Sequence, residues 1–163
     1  FFMRIIVMSD SHGNYYPVKE IMQRNLAADM FIHLGDGERE FDEAAKELSL
    51  CNTYHVKGNC DFGSMSPDML CINLEYGHRL IAAHGHNQYV NFTLDNLKKA
   101  AAENNADIIL YGHTHERFCK YEDGLYIMNP GSASCPRDGL DASYGYIDVT
   151  EKGILANVLS IRR

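Results

Sequence analysis

A chain of 163 residues, 45% of them hydrophobic, is long enough to bury one core, so it predicts a single domain. The formal net charge of −7 argues against a broad nucleic-acid-binding face, although metal ions in a cleft can still attract a phosphate. The five cysteines form no CxxC pair, and the sequence has no apolar run of transmembrane length and no signal-peptide pattern. We therefore expect a cytoplasmic protein with reduced thiols and no membrane partner.

In chain order, the first half of the sequence alternates short apolar strands with amphipathic helices. Strands are predicted at residues 4–8, 30–34 and 53–56, and helices at residues 17–24 and 38–50. Pro17 suits a helix start, and the acidic first turn of the second helix suits the helix dipole. Phe1 and Phe2, which precede Met3, are interpreted as a cloning remnant, so the predicted domain covers residues 3–163.

The second half begins with a predicted hairpin and ends in a β-rich tail. Hairpin strands at 69–74 and 79–83 are followed by a helix at 93–104, with Thr93 as its N-cap, and by a strand at 108–111. Four further strands are predicted at 118–122, 125–129, 144–149 and 154–160, with Asp123-Gly124 as a hairpin turn. This order of elements predicts an α/β layered fold.

Polar side chains follow the ends of five predicted strands, where open α/β sheets place their ligands. The motifs are Asp10-Ser11-His12, Gly35-Asp36, Gly58-Asn59-Cys60-Asp61, His84-Gly85-His86 and Gly112-His113-Thr114-His115. A Gly-Asp or Gly-Asn pair is an ordinary turn, whereas two histidines one residue apart after an apolar strand are hard to explain by packing. Mixed oxygen and nitrogen ligands from distant parts of the chain indicate a hydrolytic dinuclear centre rather than a structural metal site.

This ordered set of motifs resembles that of the calcineurin-like metallophosphoesterase superfamily, over residues 3–160. The motif from Gly58 to Asp61 is similar to that of the small prokaryotic YfcE-type phosphodiesterases. The resemblance implies a four-layer α/β/β/α sandwich and two bound divalent metal ions. It implies one ion held by Asp10, His12, Asp36 and His115, and the other by Asp36, Asn59, His84 and His113, with Asp36 bridging and Asp36, Asn59 and His84 as the catalytic set.

The activity implied by the resemblance is hydrolysis of a small phosphoester, phosphodiesters first, by a hydroxide that bridges the two ions. The ligand types suit Mn²⁺ first, with Ni, Co, Fe or Zn as alternatives. A phosphomonoesterase or nucleotide phosphatase, and a non-catalytic scaffold like the retromer subunit that resembles this family, stay open as alternatives. The family pattern also places the turn Asn129-Pro130-Gly131-Ser132 near the active site. The oligomeric state is not fixed by the sequence.

Cys60 departs from the family pattern, because many members have a histidine there that is assigned to protonating the leaving group. A thiol is a poor acid for a departing alkoxide, so this difference favours diesters over monoesters. Asp61 and His86 are candidates for the acid, although a turn-capping role for Asp61 and a surface position for His86 explain them equally well. His84, which directly follows the strand at 79–83, is expected to bind metal, and His33 is expected in the core.

Overall fold

The computed structural model describes residues 1–161 of the protein, and these residues form ten strands and three α-helices. In chain order the elements are β1 (Phe2–Met8), α1 (Tyr15–Arg24), β2 (Met30–His33), α2 (Glu38–Glu47), β3 (Thr53–His55), β4 (Met69–Asn73), β5 (Arg79–Ala83), α3 (Asp95–Glu103), β6 (Ile108–Tyr111), β7 (Arg117–Glu122), β8 (Leu125–Pro130), β9 (Ser143–Thr150) and β10 (Gly153–Ser160). No helix among residues 1–161 is long and apolar enough to cross a membrane.

The strands form two mixed sheets of five strands each, in the orders β10-β9-β1-β2-β3 and β4-β5-β6-β8-β7. In the first sheet β1, β2 and β3 run parallel, and in the second sheet β5, β6 and β8 do so. The β-rich tail is divided between the sheets, because β7 and β8 extend the second sheet while β9 and β10 extend the first. The loops that follow the central strands β1 and β6 carry polar motifs, and a hydrogen bond from the His113 amide to the Asp10 carboxylate links them.

Successive side chains of a strand point to opposite faces of its sheet, so the buried side chains fall into two groups. Ile5 and Val7 of β1 face the second sheet and join a core between the sheets. Ile6 and Met8 face the other way and pack against α1 and α2. The outer face of the second sheet is covered by α3, whose Leu97 is fully buried there. The predicted four-layer α/β/β/α arrangement is therefore confirmed.

Each of the three predicted helices differs from the structure in at least one boundary. The first helix begins at Tyr15, two residues before Pro17, whose missing N–H costs nothing in the first turn. The second helix ends at Glu47, so residues 48–50 are not helical. The third begins at Asp95, so Thr93 is not at the N-cap position, although its hydroxyl accepts the Asp95 amide at 3.1 Å.

The two predicted hairpins are both present. Asp123 and Gly124 connect β7 to β8 with φ angles of 54° and 75°, as a tight hairpin turn with two left-handed residues requires. The connection between β4 and β5 contains a 3₁₀ turn, Glu75–Gly77, in which Tyr76 also has a positive φ of 59°.

Candidate metal centre

The loops after five strands bring all the predicted metal ligands to one place at the edge of the two sheets. Asp10 and His12 follow β1, Asp36 follows β2, Asn59 follows β3, His84 follows β5, and His113 and His115 follow β6. Backbone hydrogen bonds tie these loops together, since the Asp10 amide donates to the Gly35 carbonyl at 3.0 Å and the Gly112 amide to the His84 carbonyl at 2.9 Å. Residues that are more than a hundred positions apart in sequence thus share one site.

One group of ligand atoms surrounds the carboxylate of Asp10. Nε2 of His12 lies 3.1 Å from Nε2 of His115 and 3.7 Å from Oδ1 of Asp10. Nε2 of His115 lies 3.3 Å from the same Asp10 oxygen. Oδ2 of Asp36 completes the group, 3.6 Å from Nε2 of His12.

A second group of ligand atoms surrounds His84. Its Nε2 lies 3.0 Å from Oδ1 of Asn59, 3.2 Å from Nδ1 of His113 and 3.3 Å from Oδ2 of Asp36. Oδ2 of Asp36 therefore belongs to both groups. The other oxygen, Oδ1, accepts the amide of Cys60 at 2.7 Å, which fixes the orientation of the carboxylate between the two groups.

The hydrogen-bonding pattern of these atoms fits a bound cation. Nδ1 of His84 lies 2.7 Å from the Leu34 carbonyl, and Nδ1 of His115 lies 2.8 Å from the Cys135 carbonyl, so each Nδ1 carries the hydrogen. In the neutral rings, Nε2 then presents a lone pair to the centre, as metal-binding histidines do. Oδ1 of Asp10 is buried and makes no hydrogen bond. Converging lone pairs and an unpartnered buried carboxylate oxygen call for a positive charge.

Electrostatic interactions within the centre keep its carboxylates ionised. Burial by itself would raise the pKa of Asp10, but the facing imidazoles of His115 and His12 outweigh it and hold that pKa well below its usual value. For Asp36, burial is likewise outweighed, chiefly by His84, and its pKa is lowered. In return, Asp10 raises the pKa of His115 to about 9. A metal ion must displace that proton, so metal binding weakens as the pH falls.

Five of the seven predicted ligands have a left-handed backbone. Their φ angles are 54° at Asp10, 45° at His12, 58° at Asp36, 70° at His113 and 59° at His115. Residues other than glycine rarely adopt this conformation, and it costs on the order of 1 kcal/mol or more each. Such residues concentrate at functional sites, where the surrounding structure holds them in place.

The hydrogen bonds around Asp10 involve Ser9, which no sequence motif identified, and the turn at 129–132. The hydroxyl of Ser9 and the amide of His113 donate to Oδ2 of Asp10 at 2.6 and 3.0 Å. The Ser132 hydroxyl donates to the Asp10 carbonyl at 2.7 Å, and Asn129 Nδ2 donates to the hydroxyl of Thr114 at 2.9 Å. The turn at 129–132 therefore lies beside the centre, as expected. A serine at a strand end carries no distinctive sequence signal, which is why Ser9 could not be singled out.

Asp61 supports the loop that carries Asp36. Its carboxylate accepts four backbone amides, from Asp36 at 2.8 Å, Gly37 at 3.0 Å, Glu38 at 3.2 Å and Gly58 at 2.8 Å. Gly37 occupies the N-cap of α2 and has no side chain, so Asp61 caps this helix from another loop. A carboxylate that accepts at both oxygens has no proton to donate, and this geometry favours the capping role of Asp61 over an acid role. A Cβ at position 58 would lie 2.1 Å from Oδ1 of Asp36, so only glycine fits there.

Cys60 and His86 lie at the rim of the centre. The Cys60 thiol lies within 4.8 Å of ligand atoms of His12 and Asp36, and burial together with the Asp36 charge raises its pKa. His86 begins a 3₁₀ turn, His86–Gln88, with its ring centroid 5.3 Å from that of His84. Its Nδ1 is buried without a hydrogen-bond partner, and burial lowers its pKa. The geometry places His84 among the ligand atoms and His86 beside them.

The remaining histidine of the motif region, His33, is fully buried, as expected. Next to the centre, a cleft of about 730 Å³ extends from His12 and Asp36 along the segment 60–65 and the first turns of α2. The centre is therefore open to a ligand on this side.

Residues 3–152 match the sequence model of the Calcineurin-like phosphoesterase superfamily domain. The chain is 34% identical over 146 residues to "Probable metallophosphoesterase YsnB" of Bacillus subtilis (strain 168), covering 89% of this chain and 83% of that protein. It is 28% identical over 179 residues to "Phosphodiesterase YfcE" of Escherichia coli (strain K12), covering 94% of this chain and 92% of that protein.

Solved structures give the same picture of the fold. A conserved uncharacterized protein from Streptococcus pneumoniae TIGR4, described as a predicted phosphoesterase, superimposes with a TM-score of 0.86 and 32% identity, covering 98% of this chain and 90% of that chain. Vacuolar Protein Sorting 29 from Cryptosporidium parvum superimposes with a TM-score of 0.81 and covers 99% of this chain and 93% of that chain. At 19% identity this second likeness concerns the fold alone.

Proposed function

Because this chain belongs to the calcineurin-like phosphoesterase superfamily, we propose that its metal centre hydrolyses phosphoesters, with phosphodiesters as the preferred class. The observation that carries the proposal is the position of Asp36, whose Oδ2 lies between the group around Asp10 and the group around His84. The relatives named as a phosphodiesterase and a metallophosphoesterase support the same reaction class. The proposed substrate is a small cytoplasmic phosphoester.

Two divalent metal ions are proposed as cofactors, Mn²⁺ first, with Ni, Co, Fe or Zn as alternatives, because the ligands are imidazole nitrogens and hard oxygens. The first site is assigned to Asp10, His12, Asp36 and His115, and the second to Asp36, Asn59, His84 and His113. When bound, such ions activate water as a nucleophile and neutralise charge on the phosphoryl oxygens.

The protein's own contribution is to hold the ligand atoms ready. The carbonyls of Leu34 and Cys135 hold Nδ1 of His84 and His115, so Nε2 of each ring points into the centre before any ligand arrives. The Cys60 amide and the amides bound to Asp61 fix the loop of Asp36. Preorganised groups need no rearrangement during the reaction, which is the main source of electrostatic catalysis.

The preference for diesters rests on the absence of an evident proton donor for the leaving group among the groups that line the rim. The pKa of the Cys60 thiol is raised, and Asp61 uses both carboxylate oxygens as acceptors. A diester carries one negative charge, so it meets less repulsion from an incoming anionic nucleophile than a monoester does. His86, the third candidate, is also a weak proton donor, because burial favours its neutral ring and lowers its pKa.

The alternatives on the same fold make different predictions. A phosphomonoesterase would favour monoesters, and a scaffold protein would hydrolyse neither class. The likeness to Vacuolar Protein Sorting 29 supports the fold and gives no support to a particular partner. The presence of every predicted ligand in one place favours catalysis over a scaffold role.

The test is a panel of phosphoesters with metal-stripped protein and added Mn²⁺, Ni²⁺, Co²⁺, Zn²⁺ or Mg²⁺. Bis(4-nitrophenyl) phosphate and 4-nitrophenyl phosphate have the same leaving group, so their kcat/KM ratio reports the preference for diesters. We expect hydrolysis to depend on added metal and the diester to be the better substrate. No turnover with any of these metals would contradict the enzymatic proposal, and a preference for the monoester would contradict the substrate class.

A further inference from the structure

The cleft beside the metal centre carries two large apolar side chains that the core does not use. Phe62 and Met65 are 91% and 98% exposed, and both line the cleft. Exposed apolar side chains next to a reactive centre are typical of ligand-binding clefts, where a bound ligand covers them. The fold itself gives no packing reason for a phenylalanine at this position.

Local hydrogen bonds fold the segment that carries these side chains into turns, and its far end is bonded to α2. The Asp61 amide donates to the Gly58 carbonyl at 3.3 Å, and the Ser64 amide donates to the Asp61 carbonyl at 3.2 Å. At the far end, the Ser66 hydroxyl donates to Oε1 of Glu38 on α2 at 2.8 Å. The backbone that carries Phe62 and Met65 is therefore held in place at the edge of the cleft.

The part of the cleft wall that is formed by the first turns of α2 is acidic. The residues that line the cleft there carry three carboxylates and one guanidinium, from Glu38, Glu40, Asp42 and Arg39. His55 lies next to these carboxylates, with Nε2 3.2 Å from Oδ1 of Asp42. This wall repels a second anionic group on a ligand and offers acceptors to a ligand with hydrogen-bond donors.

The cleft and the metal centre share His12 and Asp36. The two spaces are therefore continuous, and a substituent of a phosphoester at the centre can extend into the cleft. We propose that the cleft is a subsite for one ester arm of the substrate, and that it selects an aromatic arm without additional negative charge. The inference rests on the proposed function and narrows its substrate class to phosphodiesters with such an arm.

The test uses ligands that have a single arm and a P–C bond, so that hydrolysis does not interfere. Isothermal titration calorimetry of the Mn²⁺-loaded protein measures the Kd of methylphosphonate, benzylphosphonate and 4-carboxybenzylphosphonate. We expect benzylphosphonate to bind ~10-fold more tightly than methylphosphonate, the size of effect that one aromatic contact provides. The added carboxylate should remove most of this gain.

Phe62→Ala should reduce the preference for the benzyl arm to under ~3-fold and leave the Kd of methylphosphonate unchanged. Phe62→Leu, which keeps an apolar side chain without the ring, should give an intermediate preference. Phe92→Ala is the matched control, because Phe92 is 87% exposed and is not among the residues that line the cleft. It should bind all three phosphonates like the wild type.

Equal Kd values for methyl- and benzylphosphonate, tighter binding of the carboxylated ligand, or an unchanged preference in Phe62→Ala would each overturn the subsite. The phosphonates are bound and not hydrolysed, so the calorimetry tests the subsite independently of the proposed hydrolytic function. Diester hydrolysis without a benzyl preference would overturn the subsite alone. A benzyl preference that depends on Phe62, in a protein without esterase activity, would overturn the proposed function alone.

Discussion

Oδ1 of Asp10 lies 3.3 Å from Nε2 of His115, in a buried position where the carboxylate oxygen makes no hydrogen bond. Asp10 raises the pKa of His115 to about 9. At neutral pH and without metal, Nε2 of His115 is therefore protonated beside the carboxylate. A divalent ion that binds Oδ1 of Asp10 and Nε2 of His115 would displace that proton. We therefore expect a divalent ion to bind this centre more tightly as the pH rises.

Asp36→Ala should be the most damaging substitution among the predicted ligands, because Oδ2 of Asp36 faces both ligand groups. We expect kcat/KM for bis(4-nitrophenyl) phosphate to fall by at least ~10²-fold. Asp95→Ala, which removes an exposed carboxylate on α3, is the control and should keep wild-type activity. Near-normal activity of a folded Asp36→Ala protein would refute the assignment.

Asp61→Ala should weaken metal binding without removing a ligand. The substitution leaves four partly buried backbone amides without their acceptor, and an amide that is fully buried without a partner costs about 1–3 kcal/mol. We expect a lower free energy of unfolding and a Kd for Mn²⁺ that is ~10–100-fold higher, as for other groups that orient metal ligands.

The same variant separates a positioning role of Asp61 from an acid role. Loss of a general acid would leave the Kd for Mn²⁺ unchanged and would slow alkyl esters more than nitrophenyl esters. That outcome, measured by calorimetry and by kcat/KM, would show that the capping interpretation is wrong.

His33 should make the stability of the metal-free protein depend on pH. Its Nδ1 accepts the Gly35 amide at 3.1 Å, and its Nε2 lies 2.9 Å from the Ser11 hydroxyl, which itself donates to Glu40. The ring is therefore neutral, and burial lowers the pKa of His33 to about 4. The pKa of His33 in the folded protein lies below its unfolded value of about 6.5. The contribution of the neutral ring to the free energy of unfolding is therefore complete above pH 6.5. It is lost as the pH falls towards 4, by at most about 3 kcal/mol.

Urea unfolding of the wild type and of His33→Asn between pH 8 and pH 5 checks this prediction. Asparagine can place an oxygen near the position of Nδ1 and does not titrate, so the variant should lose less stability on acidification. Identical pH dependence of the two proteins would mean that His33 does not contribute to it.

Cys60→His should raise activity most on alkyl monoesters. An imidazole can protonate the departing alkoxide, whereas a thiol with a raised pKa cannot do so effectively. A nitrophenolate needs little proton assistance, so aryl esters should gain little. The ratio of kcat/KM for alkyl and aryl esters in both proteins is the measurement, and Cys119→His on β7 is the control. An unchanged ratio in Cys60→His would count against the leaving-group argument.

Much of this architecture could be predicted because the informative signals are local. A β-branched run that stops at a polar Gly-containing loop predicts both a strand end and a site position, and Asp10, Asp36 and His84 all follow that rule. The division of the tail between two sheets could not be predicted, because the pairing of β9 with β1 joins distant parts of the chain.

The hydrogen bonds that hold the site together could not be predicted from the sequence either. Asp61 looks like an ordinary turn residue, and its role depends on the approach of the Gly58 loop to the start of α2. The positive φ of Asp10 and Asp36 is imposed by surrounding contacts, since these residue types do not require it. Similarly, Thr93 has the chemistry of an N-cap, but the helix starts at Asp95 and Leu94 occupies the N-cap position.

The most direct test of the dinuclear centre is the number of metal ions that the protein binds. Metal-stripped protein is loaded with excess Mn²⁺, freed of unbound ions by gel filtration, and analysed for metal and protein content. We predict two ions per chain in the wild type, falling to at most one in His84→Ala. A folded, saturated wild-type protein with one ion or none would contradict the two-metal account.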